Sequence, residues 1–113
     1  MNLLTPNLSQ LPNARLVVSS LFDSKEPGLL TQDLLLVELP GKTYVDVSWF
    51  PEHDPAGAYT VTVFRGHNQI HDVETKSAYE AVSLVENLAY AFSTAVGNVS
   101  CSRGQTVDYR PAA

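Results

Sequence analysis

Residues 58–80 read AYTVTVFRGHNQIHDVETKSAYE, and this stretch decides the fold. Over Ala58 to Arg65, Tyr59, Val61 and Val63 fall on one face of an extended chain and Thr60 and Thr62 on the other, the period of a half-buried strand. Gly66-His67-Asn68 then reads as a three-residue turn. With that turn Val63 pairs with His71, Thr62 with Asp72, Val61 with Val73 and Thr60 with Glu74. A slip of one residue would bury both carboxylates, so burial selects this register. Ser77 opens a helix as its N-cap, and Glu80, three residues on, completes a capping box.

Reading forward from Ser77, Ala78, Ala81, Val82, Val85, Leu88, Ala89, Phe92 and Val96 recur at helical spacing and make the buried stripe. Gly97 reads as the left-handed residue that ends the helix, so about Val96 is its last turn. Leu84, Ala91 and Ala95 widen the apolar arc beyond what one sheet face covers. The surplus calls for a cover: the N-terminal arm, the tail, or a second copy of the chain. The tail, residues 98–113, is polar, with one strand candidate at Thr106 to Tyr109.

Reading backward, Leu34 to Leu39 and Thr43 to Phe50 flank Pro40-Gly41-Lys42, a hairpin turn with φ preset at proline and free at glycine. Val45, Val47 and Trp49 should face the core, with Tyr44, Asp46 and Ser48 opposite. Pro51 to Gly57 is a connecting loop. Ala14 to Phe22, alternating at Leu16, Val18, Ser20 and Phe22, suggests a first strand ended by a polar turn at Asp23 to Gly28. Residues 1–13, with Leu3, Leu4, Leu8 and Leu11 among prolines and asparagines, read as an extended arm. The expected architecture is α+β: a mostly antiparallel β-meander of four to five strands with one C-terminal amphipathic helix packed on one face.

The 113 residues, 44% hydrophobic and 17% charged, suit a single globular domain. Twelve acidic against seven basic side chains give a net charge of -5, and Arg15, Lys25, Lys42, Arg65, Lys76, Arg103 and Arg110 form no run or stripe. Such a field repels phosphate, so nucleic acid is an unfavoured partner. The lone Cys101 suits a reducing compartment. No leader and no membrane-length apolar run is visible, so the expected location is the cytoplasm.

Chemical motifs are sparse. Neither glycine-rich phosphate loop occurs, nor G-x-S-x-G, H-E-x-x-H or C-x-x-C, and no cofactor is expected. Glu52, His53, Asp54, His67, His71, Asp72 and Glu74 include the side chains that bind zinc or shuttle protons, which makes His53, His67, His71 and Asp54 the metal-ligand candidates. The plainer reading is a half-buried core His71, a turn His67 and a solvated loop acid pair. Tyr44, Phe50 and Phe64 are candidates for an aromatic interface on the outer sheet face, and Leu84 for one on the helix flank.

Two strands, a tight turn and a helix beginning Thr75-Lys76-Ser77-Ala78-Tyr79-Glu80-Ala81 resemble in their order the last part of double-stranded-RNA-binding domains and of HicB-type antitoxins. The likeness covers about Ala58 to Phe92. The lysine-rich helix start of the RNA-binding family is reduced here to Lys76, and residues 98–113 contain no DNA-binding segment of the antitoxin kind. No functional residue is carried over. The expected function is a noncatalytic binding or regulatory domain that recognises another protein, a second copy of the chain included. The alternatives are a metal binder or small enzyme using the histidine and acid groups, and a weak nucleic-acid binder.

Overall fold

The computed structural model describes residues 1–102, with side chains to Ser93. Five strands lie in one antiparallel sheet in chain order: β1 Arg15–Ser19, β2 Leu35–Leu39, β3 Thr43–Phe50, β4 Ala58–Arg65 and β5 Asn68–Thr75. One helix, α1 Ala78–Ser102, follows and packs across β2 to β5. A single 3₁₀ turn, Pro27–Leu29, interrupts the long β1–β2 connection. The meander topology with a C-terminal helix is the α+β arrangement that the sequence pattern implies.

The helix-facing side of the sheet is apolar at its buried positions on β2 to β4, with Thr43 the one exception. Leu35, Val37 and Leu39 of β2, Val45, Val47 and Trp49 of β3, and Tyr59, Val61 and Val63 of β4 are all buried. Ala78, Ala81, Val85 and Ala89 close onto them from α1. Small residues dominate the helix contact, which lets the helix approach the valine surface closely. Trp49 and Tyr59 meet edge to face with ring centroids 4.7 Å apart. The Trp49 indole N–H donates to the Asp54 carbonyl at 2.8 Å, so the core's largest side chain leaves no polar atom unpaired.

The β4–β5 pairing is Val63 with His71, Thr62 with Asp72, Val61 with Val73 and Thr60 with Glu74, the register that keeps the valines inside. The turn differs from the expected three residues. Arg65 pairs with Asn68, so Gly66 and His67 alone make the turn, with Gly66 at φ +62°. The register then shifts between Phe64–Gln69 and Val63–His71, and Ile70 is the extra residue of a bulge. A tight two-residue turn and a bulge together place the same side chains inside as a looser turn would.

Three other expectations need correction. The first strand is shorter than Ala14 to Phe22 and does not alternate through it. Leu16 pairs with inward Val37, but a shift follows and Val18 pairs with Leu36 on the other face. The chain leaves the strand after Ser19, and Leu21, not Ser20 or Phe22, enters the core. Gly97 does not end the helix, which continues to Ser102. An interior glycine costs about 1 kcal/mol relative to alanine, too little to stop a helix when nothing after it forbids continuation. Residues 98–102 are therefore helix rather than tail, and the strand candidate at Thr106 to Tyr109 lies outside the described residues. His71 is exposed, not half-buried, because β5 is the sheet edge; the Phe92 ring lies 6.2 Å away between ring centroids.

The helix start is also wired differently from a reciprocal capping box. The Glu80 N–H donates to the Ser77 hydroxyl at 3.1 Å, the expected cap. The Ser77 N–H, however, donates to the Thr75 hydroxyl at 3.1 Å, and that hydroxyl in turn donates to the Glu80 carboxylate. Thr75 thus relays the second half of the box.

The arm supplies part of the helix cover. Leu4, Leu8 and Leu11 pack against the core, and Pro6 is buried. The Leu4 N–H donates to the Leu21 carbonyl at 2.8 Å, and the Asn7 N–H to the Glu86 carboxylate at 2.6 Å. Asp23 ties the same region to the helix start, accepting from the Asn2 N–H at 2.6 Å and the Tyr79 hydroxyl at 3.0 Å. No helix among the described residues is long and apolar enough to cross a membrane.

Candidate functional site: the open face of the sheet

The histidine and acid groups do not gather. His53 sits at φ +63° in the β3–β4 loop, where its N–H donates to the Leu30 carbonyl at 2.7 Å and its ring Nδ1 lies 2.8 Å from the Pro27 carbonyl oxygen. Asp54, beside it, accepts from the Ala56 N–H at 2.9 Å through its carboxylate while its carbonyl holds Trp49. Glu52 accepts from the Gln32 N–H at 3.3 Å. These three shape the loop that closes over the Trp49 end of the core. His67 is at the opposite hairpin tip, and His71 is on the helix side of β5 while Asp72 points to the other. Among the described residues no three histidine, cysteine or acid side chains stand where they could hold a metal ion.

Leu84 is half-buried on α1 and packs against the core. The arm runs along the flank of Tyr79 and Glu86, and Leu84 lies on the opposite one, about 140–160° away around a helix of 100° per residue.

The aromatic candidates do come together on the face of the sheet turned away from α1. Cross-strand partners share a face, so the pairings define the surface. One row runs Arg15, Glu38, Tyr44, Phe64, Gln69 across all strands, and the next runs Val18, Leu36, Asp46, Thr62, Asp72. A third, across β3 to β5, is Ser48, Thr60, Glu74, and Phe50 pairs with Ala58 at the end of β3 and β4. Among the described helices and strands α1 is the only one packed across the sheet, and it lies on the other side; the β1–β2 connection meets the open face at Ser48, through the Asp33 N–H. Tyr44 and Phe64 are half-buried by their row neighbours, whereas Phe50 is 47% exposed.

At the centre of this face lies Asp46. Its carboxylate accepts from the Ser48 hydroxyl at 3.2 Å, and that hydroxyl oxygen accepts from the Asp33 N–H at 2.9 Å. Burial among Leu36, Tyr44 and Thr62 pushes the Asp46 carboxyl up to about 6, the Ser48 hydrogen bond only partly offsets this, and the Asp33 charge adds to it. The basic residues at the margins are engaged elsewhere. Arg15 forms an ion pair with Glu38 at 2.5 Å, and the Arg65 guanidinium reaches the Thr43 hydroxyl at 3.5 Å.

The alternation in β3 and β4 marked Tyr44, Phe50 and Phe64 as outward-facing. What it missed is Asp46, which reads as one more solvated strand acid. Its cross-strand partners were the available signal: with Leu36 on one side and Thr62 on the other, a short carboxylate has little access to water. Compared with protein-family profiles, curated proteins and solved structures, the chain matches none.

Proposed function

We propose that this protein is a noncatalytic protein-binding domain and that its docking surface is the outer face of the sheet around Tyr44, Phe64, Phe50, Leu36 and Asp46. The observation that carries the reading is the asymmetry of cover. One face is sealed by α1 and the arm, and the other carries Tyr44, Phe64, Leu36 and Val18 among polar neighbours with no described helix or strand above them. Aromatic residues beside a desolvated polar group are the composition of interface centres, whereas a purely solvated sheet face favours threonine, lysine and glutamate.

A photo-crosslinking amino acid placed at Phe64, with a second variant carrying it at Tyr90 on the exposed side of α1, tests the reading. The expected result is a protein adduct from position 64 and none from position 90. Identified by mass and rebuilt from purified components, the complex should weaken at least tenfold on Tyr44→Ala, about 1.4 kcal/mol or more of binding energy. Equal adducts from both positions, or an affinity indifferent to Tyr44→Ala, would overturn it.

A further inference from the structure

We infer that the outer face selects an arginine-bearing segment of its protein partner, with the guanidinium seated over Thr62 between the carboxylates of Asp46 and Asp72 and against the Phe64 ring. This rests on the docking surface proposed above and names what that surface recognises.

The argument begins with spacing. Asp46, Thr62 and Asp72 are successive members of one row on β3, β4 and β5. Neighbouring strands are about 4.8 Å apart, so the two acids are rooted about 10 Å from one another with Thr62 midway. Thr62 is 7% exposed, a low floor between two carboxylates. A guanidinium presents N–H groups on opposite edges of one plane and spans two acceptors about 2.8 Å from each edge. An ammonium is a point charge and satisfies one side at a time. Phe64 adjoins Thr62 along β4 on the same face, with Tyr44 paired to it, which adds the aromatic surface on which guanidinium planes stack.

Charge excludes the competing occupants. Asp46, Asp72 and Glu74 all lie on the outer face, while Arg15 and Arg65 are turned to Glu38 and Thr43. A second copy laid face to face would oppose these carboxylates to their own kind, and a phosphate backbone would meet the same repulsion. A cation from outside is the complement. It also relieves the cost of holding Asp46 charged in a place where burial works against its ionisation.

The experiment titrates the isotope-labelled full chain with three synthetic peptides that share length and aliphatic content and carry arginine, lysine or glutamine at their centre. The amide resonances of the chain report where each peptide lies. The arginine peptide should shift Thr62, Phe64 and Asp72. It should bind at least tenfold more tightly than the glutamine peptide and several-fold more tightly than the lysine one. Asp46→Asn and Asp72→Asn should each weaken it about tenfold and bring it close to the glutamine peptide.

Equal binding of all three peptides at these resonances would overturn the arginine inference while leaving the protein-docking reading in place. Shifts scattered over Glu26, Glu52 and Asp54 would mark general attraction to an acidic protein and overturn the inference. The absence of outer-face shifts with any peptide would overturn both. If the same resonances move on dilution without peptide, and sedimentation gives a dimer mass, a second copy occupies the face and the inference fails.

Discussion

The two faces of the sheet share backbone, register and strand neighbours, yet follow different rules of composition. Toward α1 the buried positions on β2, β3 and β4 are, Thr43 apart, apolar side chains that a close-packed neighbour meets, and the chemistry is volume and shape. Away from α1, the same strands carry Leu36, Tyr44, Asp46, Ser48, Thr62 and Phe64, a mixture that no packing argument selects. The contrast teaches where stability resides in this molecule, and it is the ground on which recognition is proposed for the other face. One face carries most of the stability, and the other contributes less of it.

Substitutions on the two faces should therefore differ in size and in sign. The largest effect belongs to the helix-facing side: Trp49→Ala removes a fully buried ring and strands the Asp54 carbonyl that accepts from it, and should cost about 3–5 kcal/mol in urea unfolding. A loss below about 1 kcal/mol would mean that the Trp49 end of the core is not packed as described. On the outer face Phe64→Ala should cost only about 1 kcal/mol, the scale of a cross-strand pair, while abolishing peptide-induced shifts. A cost equal to that of Trp49→Ala would erase the distinction between the faces.

The smallest effect has the opposite sign. The Asp46 carboxyl titrates near 6 in the folded chain and near 3.8 when unfolded. Between those values the folded state holds a proton that the unfolded state has released, so stability falls as pH rises across the window, and the full cost is present above pH 6. Asp46→Asn removes the charge. Because the site is partly open to solvent, the gain should stay below about 1 kcal/mol at pH 7.5, vanishing toward pH 4. Thermal unfolding of parent and variant at both pH values measures it. A variant less stable than the parent at pH 7.5 would show that the ionised carboxylate is welcome where it sits.

How much of this was legible depends on whether the information is local. The β3 and β4 strands, the inward set of β4 and the β4–β5 register follow from alternation and from the cost of burying Asp72 or Glu74, all contained in short windows. The bulge at Ile70 was not legible, because a two-residue turn with a bulge and a three-residue turn place identical side chains inside. Passage of the helix through Gly97 was not legible, because a glycine is a common helix terminator yet costs only about 1 kcal/mol inside a helix. The Thr75 relay depended on the last residue of β5 standing beside the helix start. The dispersal of His53, His67 and His71 was written only in the third dimension, since two lie at opposite ends of the sheet and the third on its helix side. Asp46 sits between these cases: its residue type was plain, but its desolvation comes from β2 and β4.

A five-stranded meander has two free margins, and the register shifts are found there: one in β1 between Leu16 and Val18, the other in β5 at Ile70. Each breaks the even ladder of donors and acceptors that a strand from another molecule would need for open-ended growth, and Asp72 and Glu74 add charge to the longer margin. The interruptions work as stops against filament formation. Concentrated preparations should then remain as discrete particles even though Tyr44, Phe64 and Phe50 share an open face, because the interrupted margins offer no even ladder for a further strand to join.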